Sequence, residues 1–405
     1  MNRNTDVNWK RNTALASSLS AVQVFLVIMP VLVPFFLSKG LTMQDVFLLQ
    51  ALFAVLVLLL EVPSGYLADL WGRRNAMVLG AVFCGLGHST LVVADGFWDL
   101  AIFEAFLALA RSLVSGADLA IVHDSAAASG GGRERGVVGR LYSLRTASEA
   151  VAALVCSALL TAGTLADVAL LQASVGWLPL LLACFVREPP RVQAATESHR
   201  ANLAKVLRVL WRSGWLLRLV VLTLWFWSLT TYFAVWLLQK VWLDQGVALS
   251  QFGVFWAMLM LLAAASGRWS SNLESWMGAR PLLLFAGLAP VAGYLALISS
   301  GVVVSLLAGG LFFIARGVGL VLLQDALNRR VPSDLRATAL SVVSFGTGLA
   351  AAVMGPVVGT LVDQWPMTTV LILLAGFSGG VFGGLVIPLV FRVRPETRSA
   401  SVAKA

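Results

Sequence analysis

Apolar runs of about twenty residues, each bounded by charged or turn-forming residues, recur along all 405 positions of this chain. A helix needs a run of that length to cross the hydrocarbon core of a bilayer. The runs predict helices at 14–38, 44–68, 75–94, 98–122, 138–163 and 167–186, then at 217–241, 249–271, 280–299, 302–326, 337–361 and 367–391. The residues are 59% hydrophobic and only 12% charged, against roughly half apolar and a quarter charged in a soluble domain. The first run follows Lys10 and Arg11 as a secretory signal would, but it is too long for one and many spans follow, so it reads as a retained helix. The expected fold is therefore an all-α membrane protein of 12 transmembrane helices in two six-helix bundles. These are 1–186 and 217–391, joined by a linker at 187–216 and followed by a tail at 392–405.

The net charge of +9 is explained by topology. With the amino terminus inside, cytoplasmic segments hold 24 of the 29 lysines and arginines, while outside loops hold only Lys39 and Lys240. Such an asymmetry places both termini in the cytoplasm, and no nucleic-acid partner is needed to account for the charge. The three cysteines, Cys84, Cys156 and Cys184, all lie within apolar runs and lack paired or metal-ligand spacing. The histidines are scattered, and no phosphate loop or nucleophile constellation is visible. Neither a cofactor, a metal nor an enzyme activity is expected.

The linker contains LAKVLRVLWRSGW, in which Lys205, Arg208 and Arg212 share one helical face and Leu203, Val206, Leu207 and Leu210 another. This suits either a helix lying on the inner membrane surface or an ordinary solvated linker. The two halves also resemble each other. SNLESWMGAR at 271–280 aligns without gaps with GYLADLWGRR at 65–74, and Ala110-Arg111 aligns with Ala315-Arg316 at nearly the same offset. A duplicated, pseudo-symmetric six-helix unit follows.

The stretch VPSGYLADLWGRR sits between the second and third helices. It resembles the loop 2–3 motif of the major facilitator superfamily, usually written G-x-L-a-D-r-x-G-R-R/K. Gly65, Leu67, Asp69, Gly72, Arg73 and Arg74 fall on motif positions, while Leu70 replaces the usual basic residue. The glycines suit a tight turn and a close helix approach. The aspartate suits a helix amino terminus, and the arginines suit a carboxylate clamp. The resemblance implies that this cluster latches the cytoplasmic side, and Asp124 is the expected acid for Arg73 or Arg74. It extends over the whole chain and includes PSDLRATALS before the eleventh helix. The antiporter glycine–proline motif of the fifth helix is replaced by AALVCSALL, and a similar GPVVG stands in the eleventh helix instead.

Ionisable side chains within membrane spans point to function by default. Glu104, Arg111 and Asp118 recur at intervals of seven on the fourth helix, and Arg145 and Glu149 stand four apart on the fifth. Folding the two helices antiparallel sets Arg111 against Glu149 and Asp118 against Arg145, as structural ion pairs. Glu104 is left over, and a carboxyl in an apolar cavity can exchange a proton. Glu104 and Glu149 are thus the candidate proton carriers, with Arg111 as a switchable partner; a wetted outer vestibule is the competing reading for Glu104. Arg316 on the tenth helix either reaches Glu104 or Glu149 or holds an anionic group of the substrate. Trp225, Tyr232, Trp236 and Gln239 line one stripe of the seventh helix, as either a ligand wall or packing.

The resemblance implies a secondary transporter of the bacterial cytoplasmic membrane that works as a monomer among lipids. The leading expectation is export of small amphipathic molecules by alternating access and proton antiport. The alternatives are export of an anionic metabolite such as a siderophore, uptake by symport, or a lipid flippase or non-transporting sensor.

Overall fold

The computed structural model describes residues 8–129, 136–190, 199–212 and 214–392, and among these there is no β-strand. The chain opens with α1 (Trp9–Gln23), a 3-10 turn at Met29–Val31, and α2 (Leu32–Ser38). Then follow α3 (Met43–Trp71), α4 (Arg73–Val93), α5 (Phe97–Val114), α6 (Ala117–Ala128), α7 (Val137–Leu159), α8 (Leu165–Val175) and α9 (Leu178–Phe185). The linker contributes α10 (His199–Arg212). The rest is α11 (Trp215–Asp244), α12 (Leu249–Met277), α13 (Ala279–Ala296), α14 (Val302–Asn328), α15 (Arg336–Gln364), α16 (Met367–Val381), a π turn at Phe382–Val386, and α17 (Ile387–Arg392). Ten helical stretches among the described residues are long and apolar enough to cross a membrane. The other two expected crossings are the broken α1–α2 segment and α7, whose Arg140, Arg145 and Glu149 dilute its apolar character.

Three of the expected continuous helices are interrupted, each for a local reason. Pro30 has no amide proton to continue a helix, and the first span breaks before it. The freed amides of Val27 and Ile28 both donate to Gln172 Oε1 on α8, at 2.6 and 3.3 Å. In lipid such amides must find an internal partner. The fourth span breaks at Ser115-Gly116, where Gly116 takes φ +80°. The sixth breaks between α8 and α9, ahead of Pro179.

The described chain forms two compact units. The first comprises residues 1–195 with 246–260 and 352–363. Its core gathers Leu19, Met77, Ile121, Val122 and Leu141, buried where α1, α4, α6 and α7 meet. The beginning of α12 and the end of α15 belong to this unit through close backbone contacts. Gly253 leaves no room for a side chain against the Ala153 carbonyl and Ser157 on α7, and the Val254 amide donates to Ser157 Oγ at 2.9 Å. At the other contact, Asp363 accepts from the Met43 and Gln44 amides at 3.0 and 2.7 Å, capping α3. Gly359 allows this approach, since a Cβ there would lie 2.6 Å from the Gln44 Cα. Small residues at such crossings are the usual device for packing helices within a membrane.

The second unit comprises 196–245, 261–351 and 364–405. Its core packs α11, α13 and α14 around Trp227, whose indole donates to the Ala286 carbonyl at 2.8 Å. Tyr294 is fully buried and donates to the Thr230 carbonyl at 2.6 Å.

Candidate functional site

The turn between α3 and α4 is a single residue, Gly72, at φ +94° and ψ 144°. This left-handed conformation strains any residue with a Cβ, so glycine is required. The turn presents the start of α4, and Glu188 fills it: its carboxylate accepts from the Arg73 amide at 3.2 Å and the Arg74 amide at 2.7 Å. A carboxylate there meets unsatisfied amides and the positive end of the helix dipole together. Arg74 reaches the same segment from the side, donating to the Val186 carbonyl at 2.7 Å and the Cys184 carbonyl at 3.0 Å. Arg73 turns the other way, placing Nη1 2.6 Å from Asp124 Oδ2 on α6. One two-residue arginine step thus ties α4 to α6 and to the end of α9.

The side chain of Asp69 lies outside the described residues. At Gly65 the expected close approach is absent, since a Cβ there would meet nothing within 4 Å. Sequence reasoning missed Glu188. The available signal was an acid just beyond the last apolar run of the first bundle, with Pro189 and Pro190 keeping the following backbone extended.

Among the acids within the spans, Glu104 is the most enclosed, at 3% exposure. Its Oε1 accepts from Gln50 Nε2 on α3 at 2.7 Å, and no cation among the described residues lies within ion-pair distance of it. Below this contact α3 and α5 stay joined by Ser64, which donates to the Ser112 carbonyl at 2.8 Å. The expected stripe of Glu104, Arg111 and Asp118 is corrected by the helix break. Gly116 redirects the chain, so Asp118 stands on α6, and Arg111 is exposed where Glu104 is buried. Asp118 lies 3.5 Å from Arg145 Nη1 on α7 and also accepts from Ser20 Oγ at 3.3 Å. Its other oxygen accepts from the Leu119 amide at 2.7 Å, as suits the first turn of a helix. Glu149 is half-buried on α7. Gln50 had no charge or motif to announce it in the sequence.

In the second unit, Arg316 is half-buried on α14. The aromatic stripe of α11 is largely packed. Trp236 is 5% exposed and Gln239 fully buried, and Tyr232 lies edge-on to Trp236 with ring centres 6.4 Å apart. Trp225 fills the space beside Gly346 on α15 and stands edge-on to Trp211 of α10 at 6.1 Å. The indole N–H groups of Trp225 and Trp236 are buried with no acceptor among the described residues.

Residues 13–331 match the family model of the Major Facilitator Superfamily. The structure is similar to that of a mutant of the nucleoside transporter NupG, with a TM-score of 0.81 at 11% identity over 94% of this chain and 100% of that one. A D-xylose-proton symporter matches with a TM-score of 0.74 at 14% identity, over 96% of this chain and 99% of that one. A bacterial homologue of the human lysosomal transporter Spinster, in an inward-facing and unoccupied conformation, matches at 0.71 and 15% identity, over 96% and 95%. The glycine-hinged arginine turn and the interrupted apolar helices are thus parts of a transporter rather than an enzyme, and the chain belongs to the Major Facilitator Superfamily as a multi-pass secondary transporter of a small molecule.

Proposed function

We propose that this transporter exports small amphipathic molecules by alternating access in exchange for protons, with Glu104 as the principal proton carrier. The observation that carries the proposal is the enclosure of Glu104 at 3% exposure with a neutral amide, Gln50, as its hydrogen-bond partner. A carboxylate facing a fixed cation stays charged through a cycle. One facing an amide can be served in either protonation state, because the amide carries both a donor and an acceptor. Glu149 is the second carrier and Arg111 the switchable cation; Glu149 shares α7 with Arg145, whose pair with Asp118 is structural.

The turn around Gly72 acts as the latch of the cytoplasmic side. Arg73 with Asp124, and Arg74 with the chain after α9, close it; Asp69, by its motif position, completes it. The substrate is placed along α11, where Trp225 and Tyr232 are half-buried aromatic surface and two indole donors lack acceptors. Aromatic walls of this kind suit flat apolar or cationic ligands. An anionic metabolite such as a siderophore is the second reading, supported by the half-buried Arg316 on α14.

Purified protein in proteoliposomes tests this directly. A panel of lipophilic cations and anionic chelators is screened for substrate-induced proton movement, in wild type and in Glu104→Gln and Glu149→Gln. Proton movement that Glu104→Gln abolishes supports the proposal; transport that continues in wild type without proton movement removes it.

A further inference from the structure

Helix α10 belongs to neither the proton site nor the latch, and its surface has three distinct sides. Successive residues of a helix are turned by about 100°. Val206 and Leu210, at 0% and 1% exposure, therefore share one side, with Val209 beside them, and pack into the core of the second unit. Turned by about a quarter of the circumference, Leu207 and Trp211 are each 40% exposed. Beyond them, on the third side, Lys205 and Arg208 are exposed. Leu207 was expected on one apolar face with Val206 and Leu210; those two are buried while Leu207 is open, and this separation creates the middle side. Leu207 and Trp211 form a continuous apolar strip between the docked face and the basic face.

The position of α10 explains that surface. It ends at Arg212, and α11 enters the membrane-spanning region from Trp215, which is 56% exposed. The same end of this unit carries Trp276 at the close of α12, 72% exposed, and Phe391 at the close of α17, 78% exposed. Exposed aromatics gathered at one end of a helical bundle mark the level of the lipid headgroups. A helix at that level meets protein, acyl chains and headgroups on successive sides, which is the order of sides observed.

We infer that α10 is a docking strip for anionic phospholipid headgroups. Leu207 and Trp211 enter the acyl boundary, and Lys205 and Arg208 hold the phosphates. Through Trp211, whose ring meets Trp225 of α11, the strip also touches the residue that fills the space at Gly346 of α15.

Native mass spectrometry of the detergent-purified full chain tests this without knowledge of the substrate. Phosphatidylglycerol and phosphatidylcholine are titrated separately onto wild type, onto the double variant Lys205→Gln/Arg208→Gln, and onto Arg329→Gln/Arg330→Gln as a control for lost charge. The expected result is a fall of about thirtyfold in phosphatidylglycerol affinity for the α10 variant only, as befits two surface basic contacts, with phosphatidylcholine unchanged. An unchanged affinity, an equal fall in the control, or an equal fall for both lipids overturns the inference. Should the double variant not fold, wild type is titrated at rising salt. Phosphatidylglycerol affinity must then decline as screening strengthens, and insensitivity to salt overturns the inference equally.

Discussion

Gln50 on α3 donates its side-chain amide to Glu104 on α5 across 2.7 Å, making an uncharged residue the immediate neighbour of the most enclosed acid in the spans. Glu104→Gln preserves the shape of this contact as an amide pair, so the variant is expected to fold and to bind substrate. It is expected to retain substrate exchange across the bilayer while losing substrate-driven proton movement. Counterflow and proton flux measured in the same proteoliposomes check the split.

Gln50→Leu removes the donor and leaves the acid in place. A buried polar group deprived of its partner costs about 1–3 kcal/mol, so a lower unfolding midpoint in detergent is expected. Combining it with Glu104→Leu, which removes both partners, should recover most of the loss. Thermal unfolding of the single and double variants provides the comparison.

Gly72 and Gly65 are seven residues apart in the same motif and should respond in opposite ways. At Gly72 the positive φ makes alanine strained by about 1–2 kcal/mol, and the Glu188 carboxylate would lie 3.5 Å from the new Cβ. Gly65 is helical with open space beside it, where alanine stabilises a helix by about 0.5–1 kcal/mol. Unfolding midpoints of Gly72→Ala and Gly65→Ala should therefore move down and up respectively.

The Arg73–Asp124 pair is partly open to solvent, at 30% and 22% side-chain exposure. Its direct contribution to stability is therefore about 1 kcal/mol or less. Asp124→Asn is expected to change the unfolding midpoint little while slowing transport. Reversal of the pair, Arg73→Asp with Asp124→Arg, should restore more of the rate than either single change retains. Initial rates of the four proteins decide it.

Asp363 accepts from two amides at the start of α3. Asp363→Ala should cost about 1 kcal/mol, as for other lost caps, and Asp363→Asn less. Amide exchange at Met43 and Gln44 should quicken in the alanine variant first.

The membrane spans were legible because burial in lipid demands long apolar runs, and no competing signal obscures them. Charge contacts were legible next: an arginine at one short turn and an acid beyond a neighbouring helix leave each other few alternatives. The break at Gly116 was not foreseen, because a seven-residue spacing carries no information about the backbone between its members. Glu188, Gln50, Gln172 and Asp363 were missed for a shared reason. Each satisfies a group far away in the chain; the acid before Pro189 and Pro190 stands out locally, but its partner, like the others, is set by how the helices cross.

The acceptor that completes the break in the first span, Gln172, is encoded some 145 residues after the amides it serves. A ribosome delivering this chain releases α1 and α2 long before α8 emerges. During that interval the amides of Val27 and Ile28 lack their final acceptor, in a solvent that charges heavily for unmet hydrogen bonds. A segment made early is thus completed late, and its geometry stays provisional until the sixth span arrives.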